Sequence, residues 1–230
     1  MKIFCDSADY KNFLKYKNDR IVKGFTTNPS LMKKSGAKSY KSYSLKLLNN
    51  SNKKPVSLEV FSDNIDEMYK QGKIINTWAK NVYVKIPVVN TKGKFTGKII
   101  KKLSYEKVKL NITAVYTFEQ VKKITNNLNK DTKAIISIFA GRMGDQLKNP
   151  IPIFKKSLKY TKKFKNIEIL WASTRETYNY LEAKKLGCQI ITMPPKIIDQ
   201  VKGSNKSFNQ LTIDTVKGFY KDAQDSYFKI

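Results

Sequence analysis

The 230-residue chain contains no histidine and only two cysteines. Without histidine, nucleophilic catalysis built on a Ser-His or Cys-His pair is excluded. Cys5 and Cys188 both lie in apolar segments, which favours reduced core thiols over a disulfide framework or a zinc site. Any acid-base chemistry must therefore use carboxylates, lysine, tyrosine or water.

Long apolar segments and a glycine-rich phosphate loop are also missing. No uncharged apolar run is long enough to span a bilayer, and the N-terminus reaches Asp6 without the apolar core of a signal peptide. We expect a soluble, cytoplasmic protein with no membrane partner. The segment CDSAD follows the first predicted strand, and it does not match the GxGxxG of dinucleotide-binding sheets.

Acidic residues number 18 against 45 lysines and arginines, so the net charge is +27. The basic residues are scattered along the whole chain, and no nucleic-acid-binding motif accompanies them. We therefore expect no specific nucleic-acid partner, although a basic nucleic-acid-binding module remains the alternative from another class of protein. A positive field also attracts small anionic substrates such as sugar phosphates.

Short β-rich runs alternate with amphipathic stretches of helical length along the chain. We predict strands over residues 2–6, 24–28, 56–61, 82–87, 108–115, 134–139, 167–172 and 189–193. We predict helices over residues 7–16, 29–48, 65–79, 93–103, 117–128, 151–163 and 175–186, with a further C-terminal helix over about 212–227. Eight such units predict an α/β protein, a (β/α)₈ TIM barrel formed by residues 1–230 as a single domain.

Side chains alternate between the two faces of a strand, so residues two positions apart share a face. In VYVKI, Val82, Val84 and Ile86 form an apolar set, which leaves Lys85 on the opposite face. The same division over six strands predicts a polar set that faces the barrel interior: Asp6, Thr26, Asn28, Ser57, Glu59, Lys85, Asn111, Thr113 and Ser137. It places Ala114 with the helix-facing residues. So many polar side chains on one face are hard to explain by packing, and barrel active sites lie at the C-terminal strand ends.

Lys85 is the unusual member of this polar set, because lysine is seldom fully buried unless it is paired or used. Desolvation destabilises the ammonium form and favours a free amine, which can attack a carbonyl and form a Schiff base. Two carboxylates, Asp6 and Glu59, would then supply the acid and the base. A structural ion pair between Lys85 and either carboxylate is the alternative.

A second cluster follows predicted strands six and seven. FAGRMGD contains Arg142, and LWASTRET contains Ser173 and Arg175. Guanidinium groups bind phosphate oxygens in pairs, so two arginines and a hydroxyl at this position predict a phosphate site.

The chain resembles the transaldolases, specifically the small single-domain branch that includes the fructose-6-phosphate aldolases. The segments MKIFCDSAD, GFTTNPSL, VKIPV, NITAVYT, GRMGD, WASTRET and ITMPP carry this resemblance in family order over nearly the whole chain. The resemblance implies a metal-free and cofactor-free enzyme that works on sugar phosphates, for example in the pentose phosphate pathway. It also implies a homo-oligomer, a pentamer or a decamer, with the last helix crossing to a neighbouring subunit.

The resemblance assigns a role to each candidate residue. Lys85 matches the Schiff-base lysine, Asp6 the carboxylate that handles the proton of the breaking C–C bond, and Glu59 the acid/base acting through a water near Thr113. The remaining matches are the pocket residues Thr26, Asn28, Ser57, Asn111, Ser137 and Phe139 and the phosphate-binding residues Arg142, Ser173 and Arg175.

Two positions distinguish between the two reactions of the family, transfer and release of a dihydroxyacetone unit. The fructose-6-phosphate aldolases carry glutamine in place of Glu59 and tyrosine in place of Phe139. The resemblance therefore favours transfer of a dihydroxyacetone unit from fructose 6-phosphate or sedoheptulose 7-phosphate to an aldose phosphate. Release of free dihydroxyacetone is the alternative. The segments NTKGKFTGK and SIFAGRMGDQLKNP depart from the family pattern, so a non-standard sugar phosphate is a further alternative.

Overall fold

The computed structural model describes residues 1–227. Its strands are β1 (Lys2–Asp6), β2 (Val22–Thr26), β3 (Val56–Glu59), β4 (Val82–Pro87), β5 (Leu110–Val115), β6 (Ala134–Phe139), β7 (Ile167–Ala172) and β8 (Ile190–Met193). All eight are parallel and pair in chain order, and β8 pairs with β1, so the sheet closes. The predicted TIM barrel is confirmed.

Eleven helices surround or follow the barrel in the described residues. They are α1 (Tyr10–Tyr16), α2 (Pro29–Lys34), α3 (Tyr40–Asn49), α4 (Ile65–Asn76), α5 (Gly97–Tyr105), α6 (Phe118–Thr125), α7 (Ala140–Gly144), α8 (Ile151–Thr161), α9 (Tyr178–Leu186), α10 (Pro195–Lys202) and α11 (Phe208–Asp225). None of these described helices is long and apolar enough to cross a membrane.

Several predicted boundaries were wrong, for local reasons. The helix predicted over residues 29–48 is two helices, because Gly36 adopts a φ of +74° after α2 and the chain turns there. The first helix begins later than predicted because Asp9 acts as its N-cap, accepting from the Lys11 amide. The strand predicted over residues 24–28 extends beyond the end of β2 at Thr26, because Asn28 is the N-cap of α2 and does not continue the strand. The final three residues, 228–230, lie outside the described residues.

Two short helices, α7 and α10, were missing from the sequence prediction. Each begins within two residues of the end of a strand, β6 or β8, so no polar loop separates strand from helix. The helix predicted over residues 93–103 begins instead at Gly97, because residues 89–95 form a tight turn closed by a bridge between Val89 and Phe95.

The barrel separates two apolar clusters. The larger lies between the sheet and the helices and includes Val84, Ile86 and Leu110. The smaller fills the barrel interior below the site and consists of Phe4, Tyr83, Ile135, Leu170, Ala172 and Ile190. This buried interior set fills the floor of the barrel, and the polar residues above it face a cavity at the C-terminal strand ends.

Candidate active site

A cavity of about 560 Å³ lies at the C-terminal ends of the barrel strands. All but two of the predicted site residues line it: Asp6, Thr26, Asn28, Glu59, Lys85, Thr113, Ser137, Phe139, Arg142, Ser173 and Arg175. They come from seven of the eight strands or the segments just after them. Strand alternation alone predicted seven of these eleven residues, and the other four came from the segments after β6 and β7 and from the family resemblance.

Lys85 lies inside the barrel, with 6% of its surface exposed. Its Nζ is 3.0 Å from Glu59 Oε2, and it donates a hydrogen bond of 3.0 Å to the Thr27 carbonyl oxygen. The ion pair follows directly from register, since Glu59 of β3 and Lys85 of β4 are Cα partners. One carboxylate is therefore in position to take a proton from the amine and later return it.

Asp6 supplies the second carboxylate of the cavity. Its Oδ1 accepts a hydrogen bond of 2.7 Å from Thr26 Oγ1, and Thr26 Oγ1 is in turn 2.5 Å from Thr192 Oγ1. Burial raises the pKa of Asp6, while the nearby Lys85 charge and the Thr26 hydrogen bond oppose the rise. A carboxylate whose pKa is raised by burial is a better proton acceptor than an ordinary surface aspartate.

Ser57 and Asn111 are the two predicted residues that do not line this cavity in the described part of the chain. Both are fully buried, and the Asn111 amide donates a hydrogen bond of 2.9 Å to Ser57 Oγ. Asn111 Oδ1 accepts a bond of 2.7 Å from Ser137 Oγ. The three side chains form a buried polar network across β3, β5 and β6, and Ser137 connects it to the cavity.

Thr113 carries a buried hydroxyl that has no hydrogen-bond partner among residues 1–227. The next residue, Ala114, has a φ of +58°, and the pairing of β5 with β6 shifts between Ile112 and Val115. This bulge turns Ala114 into the cavity, so its predicted helix-facing position was wrong. Since buried hydroxyls are normally satisfied, the Thr113 hydroxyl is available to a water or a bound ligand.

Arg142 and Arg175 stand at the cavity rim after β6 and β7. The Arg142 guanidinium lies 5.5 Å from the centroid of the Phe139 ring. Arg175 Nε and Nη2 donate to Asp145 Oδ1 at 3.1 Å and Oδ2 at 2.6 Å, and this ion pair lowers the pKa of Asp145. Ser173, the first residue after β7 and in the same loop as Arg175, has a φ of +64°. Two cationic groups therefore flank the opening with their directions fixed by neighbouring side chains.

Four further residues shape the site and were missed by the sequence analysis. Thr192 of β8 faces the cavity, and the alternation of Ile190 to Met193 could have found it. No pattern in the sequence would have identified Tyr40. Its hydroxyl donates to the Glu59 carbonyl oxygen at 2.8 Å and accepts from the Glu59 amide at 2.9 Å, which fixes the end of β3. The third residue, Thr27, accepts the hydrogen bond of Lys85 through its backbone carbonyl. The fourth, Lys34, lines the cavity from α2.

The fold and the site together define a class: a (β/α)₈ barrel protein with a buried lysine, two carboxylates and an arginine rim at the C-terminal strand ends. The family model for transaldolase/fructose-6-phosphate aldolase matches residues 3–230. The chain belongs to this family, whose members act on sugar phosphates, and it is an enzyme of that family.

Comparisons with individual proteins agree with the family. A "Probable transaldolase" of Nitrosopumilus maritimus is 30% identical over 203 residues, which is 87% of each chain. A "Probable transaldolase" of Caldicellulosiruptor saccharolyticus is 30% identical over 96% of each chain. The structure of N-acetylneuraminate lyase from Mycoplasma synoviae matches with a TM-score of 0.58 at 13% identity, over 97% of this chain and 80% of that one, which shows a shared fold alone.

Proposed function

We propose that the protein is a class I transaldolase that moves a dihydroxyacetone unit from a ketose phosphate to an aldose phosphate through a Schiff base on Lys85. The observation that carries the proposal is the pairing of buried Lys85 with Glu59 at 3.0 Å in a cavity that also contains Asp6. A lysine, a proton acceptor beside it and a second carboxylate are the groups that this chemistry requires.

Schiff-base formation uses Glu59 first. Glu59 takes a proton from the Lys85 ammonium, and the free amine attacks the C2 carbonyl carbon of fructose 6-phosphate or sedoheptulose 7-phosphate. The resulting carbinolamine receives a proton on its hydroxyl and loses water, which leaves an iminium ion. The buried Thr113 hydroxyl, which no group of the described residues engages, supports a role in holding the water that carries these protons.

Cleavage and transfer use Asp6. Asp6 removes the proton of the C4 hydroxyl, the C3–C4 bond breaks, and its electron pair moves into an enamine on Lys85 while an aldose phosphate leaves. The enamine then attacks the carbonyl carbon of the acceptor aldose phosphate, and Asp6 returns the proton to the new hydroxyl. Water hydrolyses the product iminium and restores the amine. The raised pKa of Asp6 supports this exchange of a proton in both directions.

The sugar phosphate group is proposed to bind Arg142, Ser173 and Arg175 at the rim, and Asn28, Thr26 and Ser137 to contact the sugar. Arg175 uses Nε and Nη2 for Asp145, and its Nη1 remains for a phosphate oxygen. Asn28 already accepts from the Leu31 amide through Oδ1, so its amide nitrogen is the group offered to a sugar hydroxyl.

Borohydride trapping tests the reaction. With fructose 6-phosphate and borohydride, we expect one reduced three-carbon adduct per chain, located on Lys85 by peptide mass spectrometry. Lys85→Gln should give no adduct, and the control Lys98→Gln, at an exposed lysine of α5, should give the full yield. An unchanged intact mass of the wild-type protein would refute the proposal.

Release of free dihydroxyacetone is the second candidate reaction, and it uses the same residues. It is measured as three-carbon product formed with and without erythrose 4-phosphate. We expect product transfer to dominate when the acceptor is present. Release that is unaffected by the acceptor would identify an aldolase instead.

The exposed apolar face of α11 supports a homo-oligomer. This helix has no buried residue, and Phe208, Val216, Phe219 and Tyr220 are each more than half exposed. We propose that α11 packs against a neighbouring copy, because a face of this size is rarely left to water. Light scattering should give a pentamer or decamer for the full chain and a smaller assembly for a chain truncated after Lys206. A monomeric full chain would contradict this.

A further inference from the structure

A basic groove lies at the N-terminal end of the barrel, opposite the candidate active site. It has a volume of about 1060 Å³ and is lined by the end of α8, the start of β7 and the segment between α9 and β8. Six lysines line it: Lys2, Lys133, Lys155, Lys159, Lys162 and Lys165. We call this depression the basal groove.

Positive charge in the basal groove is not balanced by the residues around it. Glu168 is the one carboxylate among the lining residues, and Lys2 already pairs with it at 2.8 Å. The other five lysines make no ion pair with a carboxylate of residues 1–227. Lys155 and Lys159 of α8 and its C-cap Lys162 are four and three positions apart, so they lie on one side of the helix over about 10 Å.

Like charges are crowded at this end of the barrel. The pKa of nearby Lys109 is lowered by burial and by the positive charge of Lys133. Lysines at the C-terminal end of a helix such as α8 complement its dipole, which accounts for Lys159 and Lys162. It does not account for Lys2, Lys133 and Lys165, which come from three other segments and converge on the same space.

The geometry points to the basal groove as a binding site for a linear oligophosphate, either free or as the phosphate chain of a nucleoside triphosphate. Ammonium groups on several sides of one depression match an anion that carries several charges in a row. The groove is concave and close in size to small-molecule pockets, whereas a nucleic-acid strand needs an open track. Phe164, which is only partly buried, also lines it and offers apolar surface to a nucleoside.

Calorimetric titration with tripolyphosphate and with magnesium-free ATP tests the assignment. The groove variant is Lys159→Gln with Lys162→Gln, and the matched control is Lys98→Gln with Lys101→Gln on α5, which changes the net charge equally. An Arg142→Gln background weakens competing binding at the active-site rim. Thermal unfolding of each variant confirms that it is folded.

We expect one tripolyphosphate per chain, with binding that weakens as salt rises and about tenfold weaker binding in the groove variant but not in the control. Tighter binding of ATP, with the same sensitivity to the groove variant, would identify a nucleotide as the ligand, and equal binding would identify the phosphate chain itself. Equal losses in the two double variants would overturn the assignment, as would binding of a single-stranded oligonucleotide without binding of tripolyphosphate. The test requires no catalytic activity, so its outcome is independent of the proposed transaldolase reaction.

Discussion

Gly141 is the position where a single methyl group should have the largest combined effect on stability and phosphate binding. It precedes Arg142 in α7, and a Cβ placed there would lie 1.7 Å from the backbone oxygen of Ser173. A carbon and a non-bonded oxygen keep about 3.3 Å apart, so one loop must move by roughly 1.6 Å. Because the clash is with backbone, no side-chain rotation relieves it. We expect Gly141→Ala to destabilise the fold by about 3 kcal/mol.

The same movement separates the loops that carry the two rim arginines. We expect KM for a phosphorylated donor to rise about tenfold, with a smaller change for an unphosphorylated ketose. Urea unfolding and steady-state kinetics measure the two effects, and the melting temperature should fall by roughly 6–12 °C. Gly144→Ala is the control in the same helix, since beyond the adjoining helix backbone no atom of the described residues lies within 4 Å of a Cβ built there, and alanine should leave stability unchanged or raise it by up to about 1 kcal/mol. Equal stability and KM in the Gly141 variant and the wild type would refute this account of the rim.

Asp6→Asn should reduce transfer by about 10²–10⁴-fold, yet it should stabilise the fold at neutral pH. Burial raises the pKa of Asp6 in the folded protein, so this carboxyl favours the folded state below its unfolded pKa. That contribution is lost as pH rises through the folded pKa, and the uncharged asparagine avoids the loss. Urea unfolding should therefore show a larger gain at pH 7 than at pH 4, with Asp222→Asn on α11 as an exposed control; a gain that does not depend on pH would contradict the burial argument. Tyr40→Phe should cost about 1–2 kcal/mol of stability and also lower activity, because the Tyr40 hydroxyl bonds to the backbone of Glu59. The control Tyr43→Phe removes a hydrogen bond to the Ala8 carbonyl and should leave activity unchanged. Equal activity of the two tyrosine variants would show that the end of β3 does not depend on Tyr40. Glu59→Gln should slow borohydride trapping on Lys85 in a single-turnover assay, because the amide cannot accept the lysine proton; an unchanged trapping rate would remove Glu59 from Schiff-base formation.

Strand periodicity predicted the site well wherever strands are regular. Glu59 and Lys85 were placed on one face by alternation alone, and they are paired neighbours on β3 and β4. The prediction failed at Ala114, because a bulge adds a residue and reverses the alternation after it. Periodicity also gives the face of a residue but not its depth, and for this reason it did not distinguish Ser57 and Asn111, which form a buried network, from the residues that line the cavity.

Contacts that depend on distant segments were beyond sequence reasoning. Tyr40 belongs to α3 and bonds to a backbone 19 positions away, so no local pattern distinguishes it from the other tyrosines of the chain. The break between α2 and α3 was missed for a local reason. The amphipathic pattern continues across it, but Gly36 adopts a positive φ and ends the first helix.

The ion pair between Lys85 and Glu59 also affects how Lys85 reacts with other molecules when no substrate is bound. An amine reactive enough to attack a sugar carbonyl is also a target for every small aldehyde in its surroundings. Lys85 Nζ lies 3.0 Å from the Glu59 carboxylate and donates to the Thr27 carbonyl oxygen, so both acceptors hold the amino group away from such aldehydes. In the reaction we propose, a bound sugar phosphate displaces these contacts and exposes the nucleophile only when substrate is present, so the same ion pair that begins the proposed reaction would also protect the idle enzyme from chemical damage.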